Sequence, residues 1–365
     1  MTETLIQSNP TPSKTLKVAV IGCGIGIEHL ECYDELKPQV EITAICDLVE
    51  ARAQKQAARF GVKTIYTNYK DVLADPNVDA VSVCVPNDLH AQLSVDALKA
   101  GKHVLCEKPM TDTLAHAQEI VAAAEASPKK FMMAMNNRFS GETQLLKALI
   151  DEGKLGEIYF AKTGWTRRNG IPGLGGWFTT KERSGGGPLL DIGVHALDRT
   201  VYLMGNPAPV SASGCTYAKF GPRGKGGSSY GVKPDPNTPI AFDVEDLAAG
   251  FVKFDNGATL FLEASWASYT EHDNFYTSLL GTEGGADIPD FGKLKFYTDM
   301  GGSPADITPH VPNISGRQGE INHFVSCILE DKEPISTAQQ GLHMLQILDA
   351  LYQSAKTGRE VVIAR

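Results

Sequence analysis

Three ionisable residues recur at helical spacing within Ser184 to Gly205, SGGGPLLDIGVHALDRTVYLMG. Asp191, His195 and Asp198 stand at i, i+4 and i+7, which on an α-helix is a single stripe. A carboxylate beside an imidazole is the smallest general-base unit: the ring takes a proton near neutral pH, and the carboxylate orients it and stabilises its cation. The competing reading is a solvated helix face that happens to carry two acids and a histidine. A second reactive group is Lys108, in Glu107-Lys108-Pro109 directly after the apolar run HVLCE. Proline cannot continue a central strand, so the run ends there and Lys108 sits at its carboxyl end. A lysine at that position can hydrogen-bond an oxygen as charge develops on it; a solvated surface lysine is the alternative.

The elements that must position these groups are legible upstream. From Leu16 onward, short apolar runs alternate with helical segments: KVAVIG (17–22), VEITAIC (40–46), TIY (64–66), DAVSVCV (79–85), HVLCE (103–107) and FMMAM (131–135). Gly61 and Gly101 follow the last apolar turns of two of those segments, where helices end. Six such units predict a doubly wound α/β fold with a parallel sheet of the Rossmann type. Its first turn, Gly22-Cys23-Gly24-Ile25-Gly26, leaves a strand and opens a helix. Gly22 allows the tight turn, Gly24 lets a pyrophosphate approach the backbone, and Ile25 and Gly26 lead into a helix N-terminus whose N–H groups favour an anion. Asp47, at the end of the second run, can accept both ribose hydroxyls and repel a 2′-phosphate, which selects NAD; a helix N-cap is its bland role. The loop Pro86-Asn87-Asp88-Leu89-His90 follows the fourth run and should border the cofactor, with Asn87 also able to cap the next helix.

Length and composition bound the rest. The 365 residues suit two domains, with a disordered tail at 1–15, an NAD-binding domain at 16–137 and a substrate-binding and oligomerisation α+β domain at 138–365. A net charge of −9 offers no basic field for nucleic acid or anionic membranes and favours a small-molecule ligand. The seven cysteines are scattered and never spaced C-x-x-C, which argues against disulfides and structural zinc and for a reducing, cytoplasmic compartment. The N-terminal stretch has no export-signal pattern, and no run reaches the length of a membrane span. None of the nine histidines forms a metal-ligand pattern, so no metal is expected.

Taken together, GCGIG with Asp47, the PNDLH loop, Glu107-Lys108-Pro109, Asn137-Arg138-Phe139 and GGGPLLDIGVHALD resemble the glucose-fructose oxidoreductase / inositol dehydrogenase / MocA family, in the same order along nearly the whole chain. The resemblance implies a Rossmann domain followed by a domain with a large open, mostly antiparallel sheet. It also implies NAD(P)-dependent oxidation or reduction of a ring hydroxyl of a sugar or cyclitol. The family's catalytic lysine, aspartate and histidine map on Lys108, Asp191 and His195. Pro86, Asn87, His90, Glu107 and Lys108 then border the cofactor, and Asn137 and Arg138 join Lys108, Asp191 and His195 around the substrate. The family's usual oligomer, a dimer or tetramer, forms through the open face of the second sheet. The glycine turn departs from the pattern: it reads G-x-G-x-G, one residue short.

In the second half, strands are expected in 156–168, 209–220, 244–254, 258–268, 275–281 and 293–298, with Asp255-Asn256-Gly257 as a hairpin turn between two of them. A closing helix from about Glu320 to Lys356 is interrupted near Glu333-Pro334. Trp165 and Arg167 share one strand face and Arg168 takes the other, so only one arginine can meet a ligand. Arg167 beside Trp165 suits a hydroxyl pair or an anionic substituent, or is simply a surface arginine on an aromatic. Trp177, closing the glycine-rich loop 170–178, is a sugar platform or a rim anchor. Residues 221–243 are a lid, an interface arm or a plain connection. The leading functional reading is an NAD-dependent sugar or cyclitol dehydrogenase. A redox-neutral, NAD-dependent glycosidase acting by oxidation, elimination, hydration and reduction is the alternative, and a non-catalytic NAD-binding sensor is the third.

Overall fold

The computed structural model describes residues 15–228 and 240–364. Residues 1–14 of the expected tail and the middle of the 221–243 segment lie outside the described residues.

The first half alternates β1 (Leu16–Ile21), α1 (Gly26–Asp34), β2 (Val40–Cys46), α2 (Glu50–Phe60), β3 (Thr64–Tyr66), α3 (Tyr69–Ala74), β4 (Ala80–Val83), α4 (His90–Lys99), β5 (His103–Glu107), α5 (Leu114–Ala126) and β6 (Phe131–Ala134). The strands pair in parallel in the order β3-β2-β1-β4-β5-β6. Helices cover both faces, so β4 and β6 are buried at every residue. That is why they read as continuous apolar runs rather than alternating ones. The chain reverses direction across the sheet between β1 and β4, and the carboxyl ends of the strands there form the crevice in which such sheets bind ligands.

The second half continues with α6 (Gly141–Asp151), β7 (Ile158–Thr166), α7 (Lys181–Ser184), α8 (Val194–Leu203), β8 (Pro209–Tyr217), β9 (Leu247–Phe254), β10 (Thr259–Ser265), β11 (Asn274–Gly281), β12 (Gly285–Ile288), β13 (Lys295–Met300), β14 (Ser303–Ile307), α9 (Gly316–Leu329), α10 (Ala338–Thr357) and β15 (Val361–Val362). Its sheet runs β14-β13-β12-β11-β7-β10-β9-β8-β15, antiparallel except where β10 lies beside β7. The expected hairpin joins β9 and β10: Gly257 takes a φ of +87°, and Asn256 Oδ1 accepts the Ala258 N–H. Leu260, Leu262 and Ala264 are fully buried toward the helices, whereas Phe251 on the opposite face is 49% exposed and its ring meets that of Phe261 at 5.2 Å.

The closing segment is interrupted around Glu333-Pro334, as expected, and starts earlier, at Gly316. It is two helices, each with its own side-chain cap, Ser315 for α9 and Thr337 for α10, and a strand after them. Ile321, Phe324 and Val325 of α9 share one apolar core with Val18, Val20 and Leu30 of the first domain. The end of the chain thus braces the two halves together.

Candidate active site

The glycine turn divides three tasks among three residues. Gly22 has a φ of +101°, and a Cβ there would stand 2.1 Å from the Cys84 carbonyl oxygen. A Cβ on Gly24 would meet nothing within 4 Å, so this position faces open space, as a backbone that receives a ligand must. A Cβ on Gly26 would lie 2.8 Å from Val20 Cγ1, so its absence lets α1 pack closely on β1. Because α1 begins at Gly26 itself, the shortened spacing brings the helix N-terminus directly onto the turn. Asp47 ties the turn in place: its Oδ2 accepts the Cys23 N–H and its Oδ1 the Val49 N–H, both at 2.8 Å. It is not the N-cap of α2, a position held by Val49, and its free lone pairs remain available to a diol. Gly24, Ile25, the N-terminus of α1 and Asp47 therefore fit the pyrophosphate and ribose of NAD.

The loop after β4 does something the sequence did not foretell. Asn87 is not a helix cap; its Nδ2 donates to the Ser184 carbonyl at 2.8 Å, and Asp88 accepts from Arg183 Nε at 2.9 Å. The loop begins at Pro86 and clasps α7, the element that delivers the chain into the Asp191 segment. His90 is corrected from a cofactor contact to a buried clamp. It is 1% exposed, and both ring nitrogens are 2.8 Å from carbonyl oxygens, those of Pro109 and Val85. Burial opposes a charge on this ring, but Cys106 and the two carbonyls prevail and push it up to about 9.

Glu107 is likewise withdrawn from the cofactor groove. Its Oε1 accepts from His29 Nε2 at 3.0 Å and from Arg317 Nη1 at 2.6 Å, while Oε2 accepts the Lys108 backbone N–H at 3.1 Å. Burial would raise this carboxyl; Arg317 and His29 outweigh it and hold Glu107 well below the carboxylate range. His29 extends the network to Ser82, and Arg317 extends it to Glu320 and Glu28. The result is a rigid seat under the backbone of Lys108. Arg317 was invisible to the sequence reading because it lies 210 positions from Glu107.

Above that seat, Lys108 Nζ donates to Asp191 twice, at 2.8 Å to the backbone oxygen and 3.0 Å to Oδ1. Asp191 Oδ2 accepts the indole N–H of Trp266 at 2.8 Å. Burial opposes its ionisation, yet Lys108 and then Arg167 hold the carboxyl below its usual value. Asp191 thus meets Lys108 and Trp266 and makes no hydrogen bond to His195 in this arrangement, so its orienting of the imidazole is not realised here. The polar side chain on His195 is Asn137, whose Nδ2 lies 3.2 Å from Nδ1. Trp165 stands 5.7 Å from the imidazole, centre to centre. Burial first, and Lys108 second, keep His195 well below its ordinary value, so the ring is neutral at pH 7 and ready to take a proton.

The local chain path explains the split stripe. Leu189–Gly193 is a π-helical turn that passes into α8, and such turns re-aim side chains at functional sites. Glu245 holds its start, accepting the N–H groups of Gly187 and Leu189 and the Tyr352 hydroxyl; burial pushes Glu245 upward against these donors. Gly187 must be glycine, since a Cβ there would stand 2.1 Å from the Glu245 carbonyl oxygen. Gly193 lets the turn pack on β10: a Cβ there would stand 3.0 Å from Ala264 Cβ. Asp198 faces inward, where its carboxylate grips Arg138, with the shortest contact at 2.6 Å. Arg138 also donates to Gln340 and the Ile335 carbonyl, lies under Tyr202 and has no exposed surface. Its expected substrate contact is therefore corrected to a structural strut between the turn after β6 and the helices α8 and α10.

Both arginines lie just past β7, which ends at Thr166, so strand parity does not govern them, yet they separate. Arg167 stacks over Trp165 at 4.7 Å and is close enough to influence Asp191, whereas Arg168 donates to the Thr270 carbonyl on an exposed loop. Trp177 begins a short 3-10 turn and stacks on Phe178 at 3.8 Å. Trp266 and Glu245 went unrecognised. No local pattern names a partner that another segment of the chain supplies.

A crevice at the switch point of a parallel sheet, with a glycine turn, a carboxylate at β2 and a lysine after β5 that meets an aspartate and a histidine of the second domain, defines a dinucleotide-dependent oxidoreductase. Residues 16–135 match the oxidoreductase family with NAD-binding Rossmann fold, and residues 143–287 match the GFO/IDH/MocA C-terminal domain. The chain belongs to the GFO/IDH/MocA oxidoreductase family, and its first domain is the NAD-binding one. It is 35% identical over 352 residues to D-glucoside 3-dehydrogenase of Escherichia coli (strain K12), covering 96% of this chain and 98% of that protein. It is 30% identical to levoglucosan dehydrogenase of Pseudarthrobacter phenanthrenivorans over 289 residues, 74% of this chain and 73% of the other. In fold it is similar to the structure of a levoglucosan dehydrogenase in complex with NADH and levoglucosan, with a TM-score of 0.85 at 23% identity over 96% of this chain and 100% of that one.

Proposed function

We propose that this oxidoreductase oxidises, or in reverse forms, one ring hydroxyl of a glucoside-like sugar, an anhydrosugar or a cyclitol, with NAD as its cofactor. The observation that carries the reading is the meeting of Lys108 from β5 with Asp191 and His195 at the carboxyl edge of the Rossmann sheet. NAD, when bound, accepts the hydride from the carbinol carbon. His195, neutral and half-buried, takes the hydroxyl proton. Lys108 hydrogen-bonds the oxygen as charge develops, and Asp191 compensates the ammonium and holds it in place. Trp165 stands 5.7 Å from the imidazole and carries Arg167 over its ring, a pair suited to meet a sugar. The identity to D-glucoside 3-dehydrogenase over nearly the whole chain supports a pyranoside substrate.

We further read the chain as a homo-oligomer formed through the open sheet face, where Tyr217, Phe251 and Leu280 are exposed. Seven unpaired cysteines support a reducing, cytoplasmic setting. The deciding experiment follows NADH formation and aglycone release together across glucosides, anhydrosugars and cyclitols. NADH accumulating in proportion to substrate is expected. Aglycone released without NADH would replace this reading by the redox-neutral glycosidase. Lys108→Ala and His195→Ala should each lower turnover by about a hundredfold or more.

A further inference from the structure

His195 needs a defined tautomer to act, and the residue that could set it is not its helix neighbour. Asp191 spends Oδ1 on Lys108 and Oδ2 on Trp266. The hydrogen-bonding side chain at Nδ1 is the Asn137 carboxamide, which is 8% exposed and in this structure stands with its Nδ2 3.2 Å from the ring nitrogen. A carboxamide has one donor end and one acceptor end of nearly the same shape. With Nδ2 toward the ring, the neutral imidazole carries its proton on Nε2 and cannot take another there. With Oδ1 toward the ring, Nδ1 carries the proton and Nε2 has the free lone pair. After proton uptake both nitrogens carry hydrogen, and only Oδ1 can accept from Nδ1–H.

We infer that Asn137 is the positioning residue of the active-site histidine, turning its amide over from the orientation in this structure so that its oxygen meets Nδ1 and Nε2 is the base. This rests on the dehydrogenase reading above. The hydroxyl O–H bond breaks, the N–H bond forms at Nε2, and the C–H electron pair leaves as the hydride taken by NAD. Asn137 is held for the task by its place in the short 3-10 turn Asn136–Phe139. The next side chain of that turn, Arg138, is locked to Asp198 four positions before Tyr202, so the turn is anchored to the helix that carries His195. The charged groups whose fields reach the ring are Lys108 and Arg317, which lower it, and Asp191 and Glu107, which raise it. A neutral amide at Nδ1 fixes the tautomer while adding no charge to that balance. An aspartate there would fix the same tautomer and stabilise the cation.

The test compares Asn137→Leu and Asn137→Asp with the wild type, alongside His195→Ala, on the best substrate of the panel. It includes nitrogen-15 spectra of histidine-labelled protein, with the His195 signals assigned by their loss in His195→Ala. Expected are an Nδ1–H tautomer in the wild type above neutrality, and a fall in kcat of about tenfold or more for Asn137→Leu with KM little changed. For Asn137→Asp, the acid limb of the kcat profile should move up by about one pH unit or more. A proton resident on Nε2 in the wild type, a raised KM at unchanged kcat in Asn137→Leu, or an unmoved acid limb in Asn137→Asp would each overturn the inference. If Asn137→Leu does not fold, the wild-type spectrum and the aspartate variant still decide. Full turnover by His195→Ala would overturn the dehydrogenase site itself, whereas loss of turnover there with wild-type behaviour of both Asn137 variants would overturn only the role of Asn137.

Discussion

Replacing Asp191 by asparagine changes one atom type and tests the centre of the site. The carboxylate accepts on both oxygens, from Lys108 Nζ at 3.0 Å and from Trp266 Nε1 at 2.8 Å. An amide has a single oxygen, so in either orientation its NH2 faces a donor. The substitution therefore removes a charge-assisted hydrogen bond worth about 1.5–3 kcal/mol and leaves a mostly buried donor unpaired at about 1–3 kcal/mol. Two features pull the sum toward its lower end. Lys108 keeps its 2.8 Å bond to the Asp191 backbone oxygen, and the two side chains are 18% and 15% exposed, which lets water share the load. About 3 kcal/mol remains, on the order of a hundredfold in kcat/KM. Steady-state NADH formation reads the loss, and NADH titration by fluorescence should be unchanged, because the glycine turn and Asp47 are untouched. Asp191 also raises His195 electrostatically, so its neutralisation should move the acid limb of the profile down. A kcat/KM within about threefold of wild type, or an acid limb that moves up, would refute the assignment of Asp191 to Lys108.

Further outcomes follow from the same geometry. His195 works as a base only when neutral, and its value is held well below 6.5, so kcat/KM should stay level as pH falls through 6.5 and decline only below it; a decline centred at or above 6.5 would contradict the buried, Lys108-facing ring. Gly24→Ala should leave thermal stability unchanged, because its Cβ enters open space, while weakening NADH binding by about tenfold or more; Gly22→Ala should instead destabilise the fold through its clash with Cys84, as melting curves of the two variants would show. Arg317→Met leaves the Glu107 carboxylate buried without its cation and should cost about 3–5 kcal/mol at neutral pH, whereas burial pushes Glu320 up to about 8 and keeps it largely protonated there. Glu107 is held below its ordinary value in the folded chain, so its contribution is present above that value and lost as pH falls through the folded one. The gap between Arg317→Met and wild type in urea melts should therefore narrow toward acid, and a gap independent of pH would count against the network.

The parallel sheet was legible because short, mostly apolar runs alternate with helical segments, and the runs VEITAIC, TIY and HVLCE became β2, β3 and β5 without a residue gained or lost. Its first turn was legible for a local reason too: tight turns and close approaches demand glycine whatever surrounds them. In the second domain the hairpin at Asn256-Gly257 was visible, but β12, β14 and β15 were not. β12 and β15 have four and two residues, and β14, SPADI, is almost wholly exposed, so none offers a hydrophobic period to read.

Side-chain partnership was decided elsewhere. Helical spacing gave Asp191, His195 and Asp198 a common face, yet a face does not name a partner. Lys108 reaches Asp191 from 83 residues away, Asn137 reaches His195 from 58, and Arg138 reaches Asp198 from 60. Asn137 and Arg138 are neighbours in sequence with similar prospects on paper, and a single 3-10 turn sends one to the reactive histidine and the other into a sealed ion pair. The sequence by itself determined which chemical groups are present, which elements carry them and at which edge of the sheet they gather, because those properties follow from local sterics and burial. Only the tertiary structure decided which donor meets which acceptor, because hydrogen bonds and ion pairs are settled within a fraction of an ångström by the packing of segments that the chain brings together from a distance.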